Sequence, residues 1–157
     1  MKTVAFFGHR NIFNNDTIKK RVFDLLCDLK QQGYTKFLVG SHGEFDRIVL
    51  SACLEYKNII DNNIKIYVVL TNIPFSSKQT QVGNKIESYE DNGCETLFYD
   101  IENVYYKNRI IFSNKKMVDN ADLIVCYVNM NDYKSGAKTA IKYAIKQNKT
   151  IVNLFKN

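Results

Sequence analysis

Along the chain, short continuous apolar runs alternate with longer stripes in which apolar residues recur every three or four positions. Residues 3–8 (Thr-Val-Ala-Phe-Phe-Gly) form the first run, the pattern of a strand covered on both faces. A polar loop, Gly8-His9-Arg10-Asn11, follows; from Asp16 onward Ile18, Val22, Leu25, Leu26 and Leu29 lay one stripe along a helix that Gly33 is placed to end. The unit repeats with the run Lys36 to Gly40, the loop Ser41-His42-Gly43-Glu44, and a helix marked by Phe45, Ile48, Val49, Ala52, Cys53 and Tyr56.

A third strand is predicted over Ile64 to Leu70. Regularity then fails between Thr71 and Gly93, which contains the only proline. This stretch reads as a variable insertion at about 71–95, either a lid over a binding site or a surface excursion with a short helix around Lys85 to Tyr89. Further along come an edge strand over Thr96 to Tyr99 and a helix from Tyr106 to Val118. The strand Leu123 to Val128, a helix from Gly136 to Gln147 and the strand Thr150 to Leu154 complete the chain. Strands alternating with helices imply βαβ crossovers. The expected fold is therefore α/β: a Rossmann-like three-layer domain with a mainly parallel sheet of about six strands, spanning residues 1–157 as one domain.

Composition narrows the class. With 157 residues, 45% hydrophobic and 24% charged, the chain has enough apolar material for a core without metal or disulfide staples. Cys27, Cys53, Cys94 and Cys126 form no C-x-x-C pair, so neither a disulfide framework nor a zinc site is expected, and no metal or cofactor is indicated. No apolar run approaches the roughly 18 residues of a membrane span, which points to the cytoplasm and away from a membrane partner. The net charge is +6, but the basic residues are scattered with no run longer than three, which argues against nucleic acid as a partner.

In an open parallel sheet, ligands bind beyond the carboxyl ends of the strands, where strand order reverses. Three loops leave such ends with glycine among polar residues: Gly8-His9-Arg10, Gly40-Ser41-His42-Gly43-Glu44 and Tyr133-Lys134-Ser135-Gly136-Ala137-Lys138-Thr139. Each precedes a helix, whose unpaired N–H groups and dipole favour an anion. The third loop is the strongest phosphate candidate. Ser135, Gly136 and Thr139 offer small donors and Lys138 a charge, although Ser135 as a helix cap beside a packing glycine is the plain alternative. The only two histidines, His9 and His42, sit in the first two loops beside Arg10 and Glu44. Asp46 lies in the first turn of its helix, suited to a dipole or to a ribose hydroxyl. Asn114 interrupts an apolar stripe formed by Ile110, Met117 and Val118, and so either reaches the cleft or ties a neighbouring loop.

Four segments in order, Phe7-Gly8-His9-Arg10, Gly40 to Asp46, Met117 to Val125 and Ser135 to Ala140, resemble the SLOG superfamily (the DNA-processing Smf/DprA and Lonely guy group), close to its small stand-alone YspA-type members. The resemblance spans residues 3–155. It implies a Rossmann-like domain for nucleotides or nucleotide-derived ligands. Some members are proposed as ligand sensors in bacterial or phage conflict systems, and others are nucleotide N-glycosidases. The Lonely guy enzymes use a Glu within the motif P-G-G-x-G-T-x-x-E and an Arg four residues before a Met. Here the residues after the Gly-rich stretch are Ala140, Ile141 and Lys142, and Ser113 stands four before Met117, so neither catalytic residue is carried over.

The expected function is binding of a nucleotide-derived small molecule, by a sensor or sequestering protein, at Gly8, His9, Arg10, Gly40, Ser41, His42, Gly43, Asp46, Asn114, Ser135, Gly136, Lys138 and Thr139. The alternative is a phosphoribohydrolase-like or deoxyribosyltransferase-like enzyme in which Glu44 or Asp46 supplies the carboxylate. A homodimer or higher homo-oligomer is the expected assembly.

Overall fold

A computed structural model describes residues 2–72, 79–132 and 134–156. Six strands, β1 (Lys2–Gly8), β2 (Tyr34–Val39), β3 (Lys65–Val69), β4 (Glu95–Leu97), β5 (Leu123–Tyr127) and β6 (Thr150–Asn153), form one sheet in the order β4-β3-β2-β1-β5-β6. Every pairing is parallel. Among the described residues five α-helices connect them: α1 (Asn15–Gln31), α2 (Glu44–Ile59), α3 (Gln79–Asp91), α4 (Arg109–Asp119) and α5 (Gly136–Lys146). The expected Rossmann-like three-layer architecture is present, with all six strands parallel rather than most of them.

The continuous apolar runs follow from burial on both faces of the sheet. Alternate residues divide between two cores: Val4, Phe6, Phe37, Val39 and Val125 face α1 and α2, while Ala5, Phe7, Leu38, Ile124 and Cys126 face α4 and α5. Ile18, Val22, Leu26 and Leu29 are the buried stripe of α1, as their spacing predicts. The stretch expected to be irregular after Leu70 is a correction in part. Residues 73–78 lie outside those described, but Gln79–Asp91 is a helix, and Ile86 and Tyr89 pack on the α1/α2 core. This segment is thus the ordinary crossover from β3 to its parallel neighbour β4.

Strand order reverses between β1 and β5, which pair in parallel. Their start is clamped reciprocally, because Asp122 Oδ2 accepts from the Thr3 N–H at 2.8 Å while the Asp122 N–H donates to the Thr3 carbonyl at 2.8 Å. Their far end is held by packing. Phe45, fully buried in the first turn of α2, stacks on Tyr127 with ring centroids 6.1 Å apart. Gly8 makes this possible, since a Cβ there would stand 2.2 Å from the Phe45 ring.

A methyl group at Gly8 therefore has to displace a buried aromatic ring. Gly8→Ala should lower stability by roughly 1–3 kcal/mol and Phe45→Ala by about 3–5 kcal/mol. The double variant should lose clearly less than the sum, because removing the ring makes room for the methyl. Urea denaturation of the three variants measures this; strict additivity would show that the two positions do not compete for one space.

Candidate functional site

A cleft of about 650 Å³ opens above the carboxyl ends of β1, β2, β3 and β5. Its wall on one side is α4, through Ile110, Ser113, Asn114 and Met117; opposite lie Gly40, Ser41, His42 and Asp46, and the rim carries Arg10, Phe13, Asp132 and Lys134 with Ser135, Gly136 and Ala137. Of the residues expected at the site, Gly8, His9, Arg10, Gly40, Ser41, His42, Asp46, Asn114, Ser135 and Gly136 line it. Asn114 is thus at the cleft, which explains a polar residue in that stripe.

Gly43, Lys138 and Thr139 are not among the lining residues, and each has a partner within the protein. Gly43 adopts φ 93°, and a Cβ there would approach the Arg10 backbone to 2.7 Å, so this glycine sets the position of Arg10 from behind. Lys138 Nζ donates to the Asp132 carbonyl at 2.8 Å, and Thr139 Oγ1 donates to the Ser135 carbonyl at 3.1 Å. The cation that reaches the rim from this loop is Lys134 instead. Of the two carboxylate candidates, Glu44 is not among the lining residues and pairs with Arg47 at 3.1 Å, whereas Asp46 lies within the lining.

The N-termini of α2 and α5 are not equivalent. The Glu44 N–H donates to the Arg10 carbonyl at 2.9 Å and the Phe45 N–H to the His9 carbonyl at 3.3 Å, so the start of α2 is satisfied by the loop after β1. At α5, Ser135 Oγ accepts from the Lys138 N–H at 3.0 Å, the N-cap arrangement. The N–H groups of Gly136 and Ala137 have no partner among the described residues, and both residues line the cleft. The glycines differ too. Gly8 makes room for Phe45, and Gly40 for Asp46, whose Oδ2 would lie 2.6 Å from an added Cβ. A Cβ at Gly136 would meet nothing within 4 Å.

Both histidines are braced. His9 Nε2 accepts from the Asn129 N–H at 2.8 Å, which assigns the ring proton to Nδ1 and ties the β1 loop to the loop after β5. Asp132 Oδ2 lies 4.0 Å from the same nitrogen, beyond hydrogen-bond distance. His42 Nε2 hydrogen-bonds Thr71 Oγ1 at 2.8 Å, and Ser41 Oγ donates to the Val69 carbonyl at 2.9 Å, anchoring the β2 loop on the end of β3. Burial, with Arg10 and then Lys85 adding to it, lowers the His42 pKa below its ordinary value, so this ring is neutral at pH 7.

Asp46 carries the unusual chemistry. Burial pushes its carboxyl up to about 7, against the opposing pull of the His42 N–H, which donates to Oδ2 at 2.8 Å, and of the Arg10 charge. A group with this pKa exists in both protonation states at neutral pH, which suits proton transfer. Among the described residues no cluster of three or more His, Cys, Asp or Glu side chains could hold a metal ion. Likewise, no helix is long and apolar enough to cross a membrane. Comparison with protein-family models and with curated proteins finds no match for this chain.

Several lining residues escape sequence reasoning, among them Phe13, Thr71, Ser113 and Lys134. Ser113 and Lys134 had a signal. Ser113 is one helical turn before Met117 and one residue from Asn114, and Lys134 lies within the third loop.

Because the folded chain holds the Asp46 proton more tightly than the unfolded chain, the stability that this carboxyl contributes is complete below about pH 4 and is lost as pH rises through about 7. Asp46→Asn keeps an acceptor for the His42 N–H but does not titrate. The stability of the wild type relative to this variant should therefore fall between about pH 4 and pH 7 in denaturation curves taken at successive pH values. A difference that is flat over that interval would mean an ordinary carboxylate.

Proposed function

We propose that this chain binds a phosphate-bearing nucleotide or nucleotide-derived ligand in the cleft at the β1/β5 reversal, as a sensor or sequestering protein. The observation that carries this reading is Gly136. Glycine is a poor residue for a helix, no positive φ requires it here, and a side chain would meet open space. Among the described residues nothing packs where its Cβ would stand, and the missing side chain opens the two N–H groups at the start of α5, which have no partner among those residues, to close approach by an anion. Arg10 and Lys134 add positive charge to the same cleft. The volume, about 650 Å³, suits a ligand of nucleotide size. The resemblance of four segments to the SLOG superfamily supports the same reading.

Calorimetry with a panel of nucleoside mono-, di- and triphosphates tests it. Gly136→Val should leave thermal stability almost unchanged, yet weaken a nucleotide that binds the wild type by at least about 10-fold, equivalent to about 1.4 kcal/mol. Arg10→Ala should weaken it by about 10-fold as well, as loss of one charge-assisted hydrogen bond would. Unchanged affinity in Gly136→Val would remove the phosphate assignment.

A second reading, hydrolysis of the N-glycosidic bond, is favoured by one observation: the Asp46 carboxyl titrates near neutrality inside the cleft. Against it stand Ser113 and Lys142 where the Lonely guy enzymes need Arg and Glu, with Lys142 exposed on α5. Nucleoside monophosphates incubated with the protein should be recovered intact by chromatography. Release of free base beyond stoichiometry, abolished in Asp46→Asn, would establish the enzyme instead.

A further inference from the structure

The wall formed by α4 carries a polar group with no partner. Ser113 is 1% exposed, and its Oγ is the one buried side-chain oxygen or nitrogen among the described residues that makes no hydrogen bond. A buried hydroxyl without a partner is destabilising, and a helical serine usually relieves this by bonding the carbonyl one turn back. Ser113 does not, and it lines the cleft.

We infer that Ser113 is the position at which the cleft reads a sugar hydroxyl of its ligand, an assignment that rests on the nucleotide reading above. The four residues that α4 contributes to the lining, Ile110, Ser113, Asn114 and Met117, include no charged side chain. A phosphate placed against this wall would meet no cation, because Arg10 and Lys134 belong to the loops after β1 and β5. The wall therefore suits an uncharged partner. A base edge presents adjacent donors and acceptors and suits an amide such as that of Asn114. A lone serine hydroxyl, able to donate once and to accept, matches another lone hydroxyl. Phosphate at the start of α5 and sugar against Ser113 give the ligand a direction across the cleft, and they make the serine a determinant of ribose over deoxyribose.

The wild type and Ser113→Ala are titrated by calorimetry with the 5′-monophosphates of adenosine, guanosine, cytidine and uridine, and with the 2′-deoxy and 3′-deoxy forms of each. The expected result is that one deoxy form binds the wild type about 2- to 12-fold more weakly than its ribonucleotide, the range of one neutral hydrogen bond. In Ser113→Ala this ratio should collapse to about one. An unchanged ratio, no ribose preference in the wild type, or equal weakening of ribo and deoxy forms by the substitution overturns the inference while leaving nucleotide binding intact. If none of the nucleotides binds the wild type, the nucleotide reading falls and the assignment with it. Thermal unfolding without ligand gives an independent reading: Ser113→Ala should melt at the same or a higher temperature, since it removes an unpaired buried hydroxyl. A lower melting temperature would mean that the hydroxyl already has a partner inside the protein, and would overturn the assignment.

Discussion

The close seating of α2 on the end of β1 governs the rest of the structure. The fully buried Phe45 ring occupies the space that a side chain at residue 8 would fill, and the first two N–H groups of α2 donate to the carbonyls of Arg10 and His9. A helix start normally leaves such donors to solvent or to a ligand. Here they fix the path of the loop after β1. That path brings Arg10 to the cleft rim, sets His9 where it can accept from the Asn129 N–H, and thereby couples the β1 loop to the β5 loop across the strand reversal. Gly43, in a backbone conformation that a side chain would strain, completes the contact from the other side.

The same seating makes the cleft chemically asymmetric. The α2 side is self-satisfied: the His42 N–H is bound to Asp46, His42 Nε2 to Thr71, and Ser41 Oγ to the Val69 carbonyl. Its one adjustable group is Asp46, held near neutral pKa by burial. The α5 side has N–H groups without partners among the described residues and a glycine with open space before it. Polar groups that a fold has already paired contribute rigidity, whereas unpaired groups around a cavity are available to a ligand.

How far the sequence reveals this depends on what each residue's neighbours must be. Strands buried on both faces have to be apolar throughout, so β1, β2 and β5 stand out directly, and the amphipathic stripes of α1 and α2 are broad enough to read. By contrast α3 covers only one end of the sheet, and Ile86 and Tyr89 are too narrow a stripe to distinguish from a surface excursion. Residue type tells that Lys138 is a cation near a helix start. It does not tell that the side chain turns back to the Asp132 carbonyl while Lys134 takes the rim. Glycines at 8, 40 and 136 look alike in a sequence, and only the packed structure separates the two that accommodate a neighbouring side chain from the one that faces empty space. The serine at 113 is informative as a residue that is not arginine; that its hydroxyl is orphaned emerges only once α4 lies on the sheet.

The margins of the sheet have a consequence of a different kind. The outermost strands are its shortest, three residues in β4 and four in β6. An exposed strand edge is a template on which foreign backbone adds, and its danger grows with the number of unpaired donors and acceptors in register. Past the last paired residues of β5 and β6, the Asn153 side chain accepts from the Val128 N–H at 3.2 Å and donates to the Val128 carbonyl at 2.8 Å, which ties the end of β6 inward to the chain leaving β5. In an all-parallel sheet rich in valine, isoleucine and phenylalanine, such short borders leave few unpaired donors and acceptors in register for foreign backbone to pair with.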